Sequence, residues 1–153
     1  KINYVYDLDI PRIIEIKIIG KDYIKFLKQI KTVGRKKTVL SPMMNSFMKK
    51  WINAELILHE GKNKKINVKI KLHGDWNDHI SIPYSSLDIK SKDVFMNQLK
   101  EFILFRPSTR NYRAEIFGTI LMQELGLLAP TTKEVEVTIN SNEKKVYLLQ
   151  EKI

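Results

Sequence analysis

Hydrophobic and polar residues alternate along most of this chain, and the alternation gives way to a helical period in three places. Residues 12–19, RIIEIKII, alternate around Glu15 and Lys17 and predict a strand that ends at Gly20. KDYIKFLKQIKT follows with Tyr23, Phe26, Leu27 and Ile30 at three- and four-residue spacing, which predicts an amphipathic helix stopped by Gly34. A basic loop, GRKKTVLSP, leads to a second, short helix. Ser41 would be its cap, Pro42 would sit in its first turn, and Met43, Met44, Phe47, Met48 and Trp51 would form its buried side.

Two alternating runs, Ala54 to His59 and Ile66 to Leu72, flank a Gly-Lys-Asn-Lys-Lys turn and predict a β-hairpin. YSSLDIKSK predicts a third strand with Leu87 and Ile89 on one face and Asp88 and Lys90 on the other. FILF, residues 102–105, predicts a short buried strand broken by Pro107. STRNYRAEIFGTILMQELGLLAP predicts a third helix. Ser108 or Thr109 would cap it, Ile116, Phe117, Ile120 and Leu121 would form its core stripe, and Gly126 and Pro130 would mark its exit. KEVEVTINSNEKKVYLLQEKI closes with a second hairpin. The expected fold class is α+β, a mostly antiparallel sheet with helices packed against it.

Composition narrows the picture. A chain of 153 residues, 43% hydrophobic and 29% charged, suffices for one globular domain, 1–153. No apolar run approaches the roughly 20 residues that cross a bilayer, so no membrane span is expected. The absence of cysteine excludes disulfides and thiolate metal sites and leaves the compartment unknown. No basic-then-apolar signal segment follows Lys1, which is equally compatible with a removed leader. The formal charge of +10 attracts polyanions, or reflects a solvated lysine surface, since the lysines are spread along the chain.

VKIKLHGDWNDHI concentrates the candidate chemistry. His73, Asp75, Asp78 and His79 crowd around Gly74 directly after an alternating strand. These are legitimate ligands for zinc or manganese. The turn geometry offers no reason for them to converge, and no metal is expected here. Gly74 between strands, with Lys71 and Lys90 nearby, also suits a backbone grip on phosphate. Asp and Asn fixing their own hairpin turn explain the same residues without any ligand. Lys90 is either a phosphate lysine or a solvated one. Glu115 lies opposite the predicted stripe, facing solvent or a cleft.

Five segments in register, VKIKLHGDWNDH, SSLDIK, FILFRPSTRNYRAEI, LGLLAPTTKEVEVTIN and VYLLQEKI, resemble the spore coat protein H (CotH) kinase family. The resemblance covers residues 54–153, with 1–53 fitting more loosely. It implies a fold like the amino-terminal lobe of a protein kinase, and a parent enzyme that moves the γ-phosphoryl group of ATP, with Mg²⁺, to a protein serine or threonine. Carried over by position, Lys90 is the candidate phosphate lysine and Glu115 its helix partner. His73, Gly74 and Asp75, with Lys71, form the candidate nucleotide loop. Arg110 and Arg113 sit at the family's helix-start arginine, and Glu151 lies where the chain passes the adenine. The implied partners are a protein substrate or coat protein and a carboxy-terminal lobe, at an envelope, surface or extracellular location; nucleic acid is not expected.

The chain also departs from the family. NSNEKK lacks the expected glycines, and His73 replaces a basic or polar residue. The family's metal-binding and catalytic aspartates lie beyond Ile153, so the expectation is a fragment, inactive alone, that meets Mg²⁺ through residues outside this chain. The alternative from a different class is a non-catalytic basic scaffold module that binds polyanions or a coat-like assembly. An isolated lobe would also expose apolar surface suited to self-association.

Overall fold

A computed structural model describes residues 11–35, 49–59, 63–95 and 99–152. Seven strands carry the fold: β1 Ile13–Lys17, β2 Ile52–Leu58, β3 Lys64–Leu72, β4 Leu87–Phe95, β5 Leu99–Phe105, β6 Thr132–Ile139 and β7 Lys145–Glu151. Two helices accompany them among the described residues, α1 Gly20–Arg35 and α2 Arg113–Glu124. Each strand follows its alternation. Ile14 and Ile16 of β1, Val68, Ile70 and Leu72 of β3, Leu87 and Ile89 of β4, Phe102 and Leu104 of β5, and Tyr147 and Leu149 of β7 all join one buried cluster. The residues between them face outward.

The strands close into a barrel in the order β1-β2-β3-β4-β5-β7-β6. Six of the seven pairings are antiparallel. The seventh joins β1 to β6 in parallel, with Ile14 opposite Val137 and Ile16 opposite Ile139. This overturns the expected α+β fold, an open sheet with packed helices like a kinase amino-terminal lobe. Parallel bonding between the first and sixth strands removes both sheet edges, and the interior fills with side chains from every wall. Asn140 fastens the closure. Its side chain accepts from the N–H of Ile18 (2.7 Å) and donates to the carbonyl of Ile18 (2.9 Å). Asn140 and Ser141 both take positive φ, so the turn of the β6–β7 hairpin forms without glycine.

The two helices behave differently. α1 buries Phe26, Ile30 and Val33 on the same cluster as the barrel interior, as its period predicts. α2 reverses the expected stripe. Thr119 is its one buried residue, whereas Phe117 is 70% exposed and Ile120 and Leu121 are each 49% exposed. The physical reason lies in the surface it meets. The outer face of β6 and β7 offers Thr132 and Gln150, so the helix turns its polar edge inward and Glu115 accepts from Gln150 Nε2 (2.8 Å). Its start also shifts. Ser108 and Thr109 lie in a preceding 3-10 turn, Pro107–Arg110, and positive φ at Asn111 and Tyr112 delays the helix to Arg113. The short helix expected from Ser41 falls largely outside the described residues. Trp51, from its expected buried side, directly precedes β2 and is half-buried.

Candidate anion-binding site

The outward residues of β2, β3, β4 and β5 form cross-strand rows. In one row Asn53 is opposite Lys69, Lys69 opposite Lys90, and Lys90 opposite Glu101. Two lysines directly opposite on one face destabilise a sheet unless something negative lies between them. Here they line a groove of about 600 Å³ with Asn53, Asn67, Val68, Ser91 and Lys92. Among the described residues the lining therefore offers three ammonium groups, two amides and a hydroxyl, and no carboxylate. Among the described residues, no acidic side chain forms an ion pair with Lys69, Lys90 or Lys92. Trp51 helps fix the positive end. The Lys90 ammonium sits 4.0 Å from the centre of its ring and the Lys71 ammonium 4.8 Å from it, close enough for cation–π attraction.

The adjacent row holds Asp88, opposite Lys71. Asp88 is buried, yet its carboxylate lies 3.1 Å from His73 Nδ1, 3.7 Å from the Lys71 ammonium and 3.9 Å from that of Lys152. Burial alone would raise its pKa. The hydrogen bond and charge of His73, then the charges of Lys71 and Lys152, outweigh burial and hold it below its ordinary value. Asp88 is thus ionised at neutral pH, and His73 Nδ1–H donates to it. A carboxylate placed there absorbs part of the positive field beside the groove through His73, Lys71 and Lys152 rather than through Lys69, Lys90 or Lys92.

The turn after β3 is braced from several sides. Gly74 has φ +87° and lies against the ring of His79, which is buried. Lys49, whose side chain is only 7% exposed, donates to the Gly74 carbonyl and lies 3.3 Å from Asp75. Arg106 donates to the carbonyls of Asp78 and Ile80. Burial lowers the pKa of His79. The Asp78 charge opposes that shift, and the positive charges of His73, Arg110 and Lys49 assist it. His79 Nδ1 is buried with no hydrogen-bond partner among the described residues.

The residues singled out from sequence are distributed as follows. Lys90 lines the groove and Lys71 stands beside it on the same Trp51 ring. His73, Gly74 and Asp75 line a neighbouring recess of about 260 Å³ with Lys49, Lys71 and Asp88. His73, Asp75, Asp78 and His79 do not converge: His73 engages Asp88 and Asp75 engages Lys49, while Asp78 comes within 3.9 Å of His79. Among the described residues no three His, Asp or Glu side chains form a metal-ligating group. Lys90 and Glu115 are not brought together, since Glu115 binds Gln150.

The remaining candidates make the following local contacts. Arg110 stacks its guanidinium over Phe105 at 4.1 Å, and Arg113 meets Glu134 at 3.3 Å. Glu151 accepts from the Thr131 N–H (3.3 Å) and so ties β7 to the start of β6. Sequence reasoning missed Lys69, Lys92, Asn53 and Asn67 as site residues, and it missed the contact of Trp51 with Lys90. The alternation marks Lys69 as outward, but only the β3–β4 register places it against Lys90.

Among the described residues no helix is long and apolar enough to cross a membrane. Comparison of the chain with protein-family models and with curated proteins yields no match.

Proposed function

We propose that this chain is a phosphate-binding β-barrel module that holds a polyphosphate ligand, with ATP the leading candidate, in the groove formed by Lys69, Lys90 and Lys92. The observation that carries this reading is the direct cross-strand opposition of Lys69 and Lys90 above a groove in which no described lining residue is a carboxylate. A bridging phosphate turns that repulsion into two charge-assisted contacts, and Asn53, Asn67 and Ser91 add neutral donors. The groove volume falls within the roughly 300–1,000 Å³ of small-ligand sites. The resemblance of residues 54–153 to CotH kinases supports ATP among polyphosphates. The reading is of binding rather than transfer, because Glu115 engages Gln150 and the nearby carboxylates Asp88 and Glu101 already face cations.

Calorimetric titration with ATP, ADP and tripolyphosphate at fixed salt tests this. A charge-assisted hydrogen bond contributes about 1.5–3 kcal/mol, so Lys90→Ala and Lys69→Ala should each weaken binding by about 10- to 100-fold. Lys144→Ala, on an exposed pair with Glu136 of β6, should leave it unchanged. Lys69→Gln should at the same time stabilise the unliganded barrel by roughly 0.2–1 kcal/mol by removing the like-charge pair. Equal losses in all three alanine variants would show that net charge alone attracts the anion.

The +10 charge favours a second reading, a broad polyanion surface. In that case affinity should climb steadily with polyphosphate length and fall steeply with salt. A single groove instead saturates at a short chain.

A further inference from the structure

α2 presents a stripe that its own barrel does not cover. At about 100° per residue, Arg113, Phe117, Ile120, Leu121 and Glu124 fall on one side of the helix, away from Thr119 and Glu115, which face β6 and β7. Phe117, Ile120 and Leu121 are 70%, 49% and 49% exposed, and Leu125, Leu127 and Leu128 extend the surface at 67%, 50% and 80%. Large apolar side chains carry on the order of 150–200 Å² each. The exposed part of this surface amounts to roughly 600 Å². That lies at the top of the roughly 300–600 Å² typical of the largest patch on a monomer and comes near the about 800 Å² that each partner gives to a standard interface.

The charges at the two ends of the stripe indicate what covers it. Arg113 opens α2 and Glu124 closes it, with only apolar residues between them on that side. Two copies of α2 packed antiparallel about a two-fold axis bring Arg113 of each against Glu124 of the other, with Phe117, Ile120 and Leu121 meeting in the middle. A parallel arrangement would instead set like charges together at both ends. The antiparallel arrangement also opposes the two helix dipoles favourably. Arg113 already meets Glu134 of its own chain at 3.3 Å, but its side chain is 84% exposed, so it remains accessible to a second carboxylate.

We propose that this face of α2 is the interface of a symmetric homodimer, formed by antiparallel α2–α2 packing with reciprocal Arg113–Glu124 pairs. The interface lies over β6 and β7, and the anion groove opens on β2–β4, so the dimer would carry two independent grooves.

Sedimentation velocity over a concentration series on the whole chain tests the proposal, with circular dichroism confirming that each variant is folded. The wild-type chain should shift from monomer to dimer. Leu121→Glu should weaken the dimer at least tenfold. Arg113→Glu and Glu124→Arg should each weaken it several-fold, and the double variant Arg113→Glu/Glu124→Arg should restore it. Because both charged positions are exposed, these variants keep the test open even if Leu121→Glu fails to fold. A wild-type chain that stays monomeric throughout overturns the proposal and leaves the stripe to a different protein's apolar surface. A dimer indifferent to Leu121→Glu, or one that the double variant does not restore, overturns it as well.

Discussion

Gly74→Ala is expected to be among the most damaging single-methyl additions to this protein. Two independent costs meet at the position. The backbone holds φ at +87°, where an L side chain is strained by about 1–2 kcal/mol. An added Cβ would also stand 2.3 Å from two carbons of the His79 ring, so ring or loop must move. Overpacking of this kind costs about 1–3 kcal/mol. Together they predict a loss of about 2–5 kcal/mol, which for a chain of this size lowers Tm by about 5–15 °C.

The damage should also reach the groove. Lys49 donates to the Gly74 carbonyl, and two residues later Trp51 carries the Lys90 and Lys71 ammonium groups. A displaced turn therefore loosens the support of the binding lysines, and phosphate affinity should fall along with Tm. The double variant Gly74→Ala/His79→Ala separates the two costs. It removes the collision and leaves the φ strain, so it should be more stable than the sum of the two single variants predicts. Thermal melts of the four proteins give the coupling; strict additivity would mean that the His79 contact is not what makes glycine necessary.

The contrast between what could and could not be inferred from sequence follows the range of the interactions. The β2–β3 and β6–β7 hairpins were legible, whereas β4 and β5 were read as separate strands and their antiparallel pairing was not. Ile52–Leu58 with Lys64–Leu72, and Thr132–Ile139 with Lys145–Glu151, are separated by only five residues each, so alternation and turn-forming residue types suffice to locate them. Barrel closure was not legible. It depends on Ile14 meeting Val137 in parallel, a pairing between distant segments that no local residue signals. An alternating strand looks the same in an open sheet and in a barrel wall.

The α2 error has a different origin. Periodicity correctly showed that Phe117, Ile120 and Leu121 share one side of a helix. It cannot say whether that side meets the same chain or another molecule. The signal that could have helped is Gln150, an outward polar residue on a strand otherwise rich in apolar ones, which marks the wall that Glu115 must face. For the groove, Lys90 and Lys71 were legible as candidates because both lie near the Gly74 turn in sequence, and Lys90 also falls at the phosphate-lysine position of the CotH resemblance. Lys69 was equally visible, but one more lysine among many carries little weight until the β3–β4 register puts it opposite Lys90.

Asp88→Asn should lower stability at neutral pH and raise phosphate affinity. Its carboxylate lies among His73, Lys71 and Lys152, and it is the buried member of the group. Asparagine retains an acceptor for His73 Nδ1–H but removes the negative charge, leaving three positive or polarised groups around a neutral one. Removing one partner of a buried pair costs about 3–5 kcal/mol. Lys71 and Lys152 are 29% and 43% exposed, so solvent moderates the loss, and about 2–3 kcal/mol is expected here.

The sign of the pH dependence follows from the direction of the shift. The folded protein holds the Asp88 pKa below its ordinary 3.8, so the unfolded chain binds the proton first as pH falls. The stabilisation is therefore complete above about pH 4 and drains away as pH drops through the lower, folded value. Urea unfolding of wild type and Asp88→Asn should show a gap that is present at neutral pH and closes in strong acid. A gap that persists unchanged into strong acid would assign the loss to packing rather than to charge. The binding arm of the experiment runs in the opposite direction. With Asp88 neutral, Lys71 and Lys152 are released toward the face that carries Lys90, and tripolyphosphate should bind several-fold more tightly. A variant that is less stable yet binds phosphate better would show that Asp88 keeps the unliganded barrel folded at some expense of affinity, whereas a parallel fall in both would place Asp88 among the groups that hold the ligand.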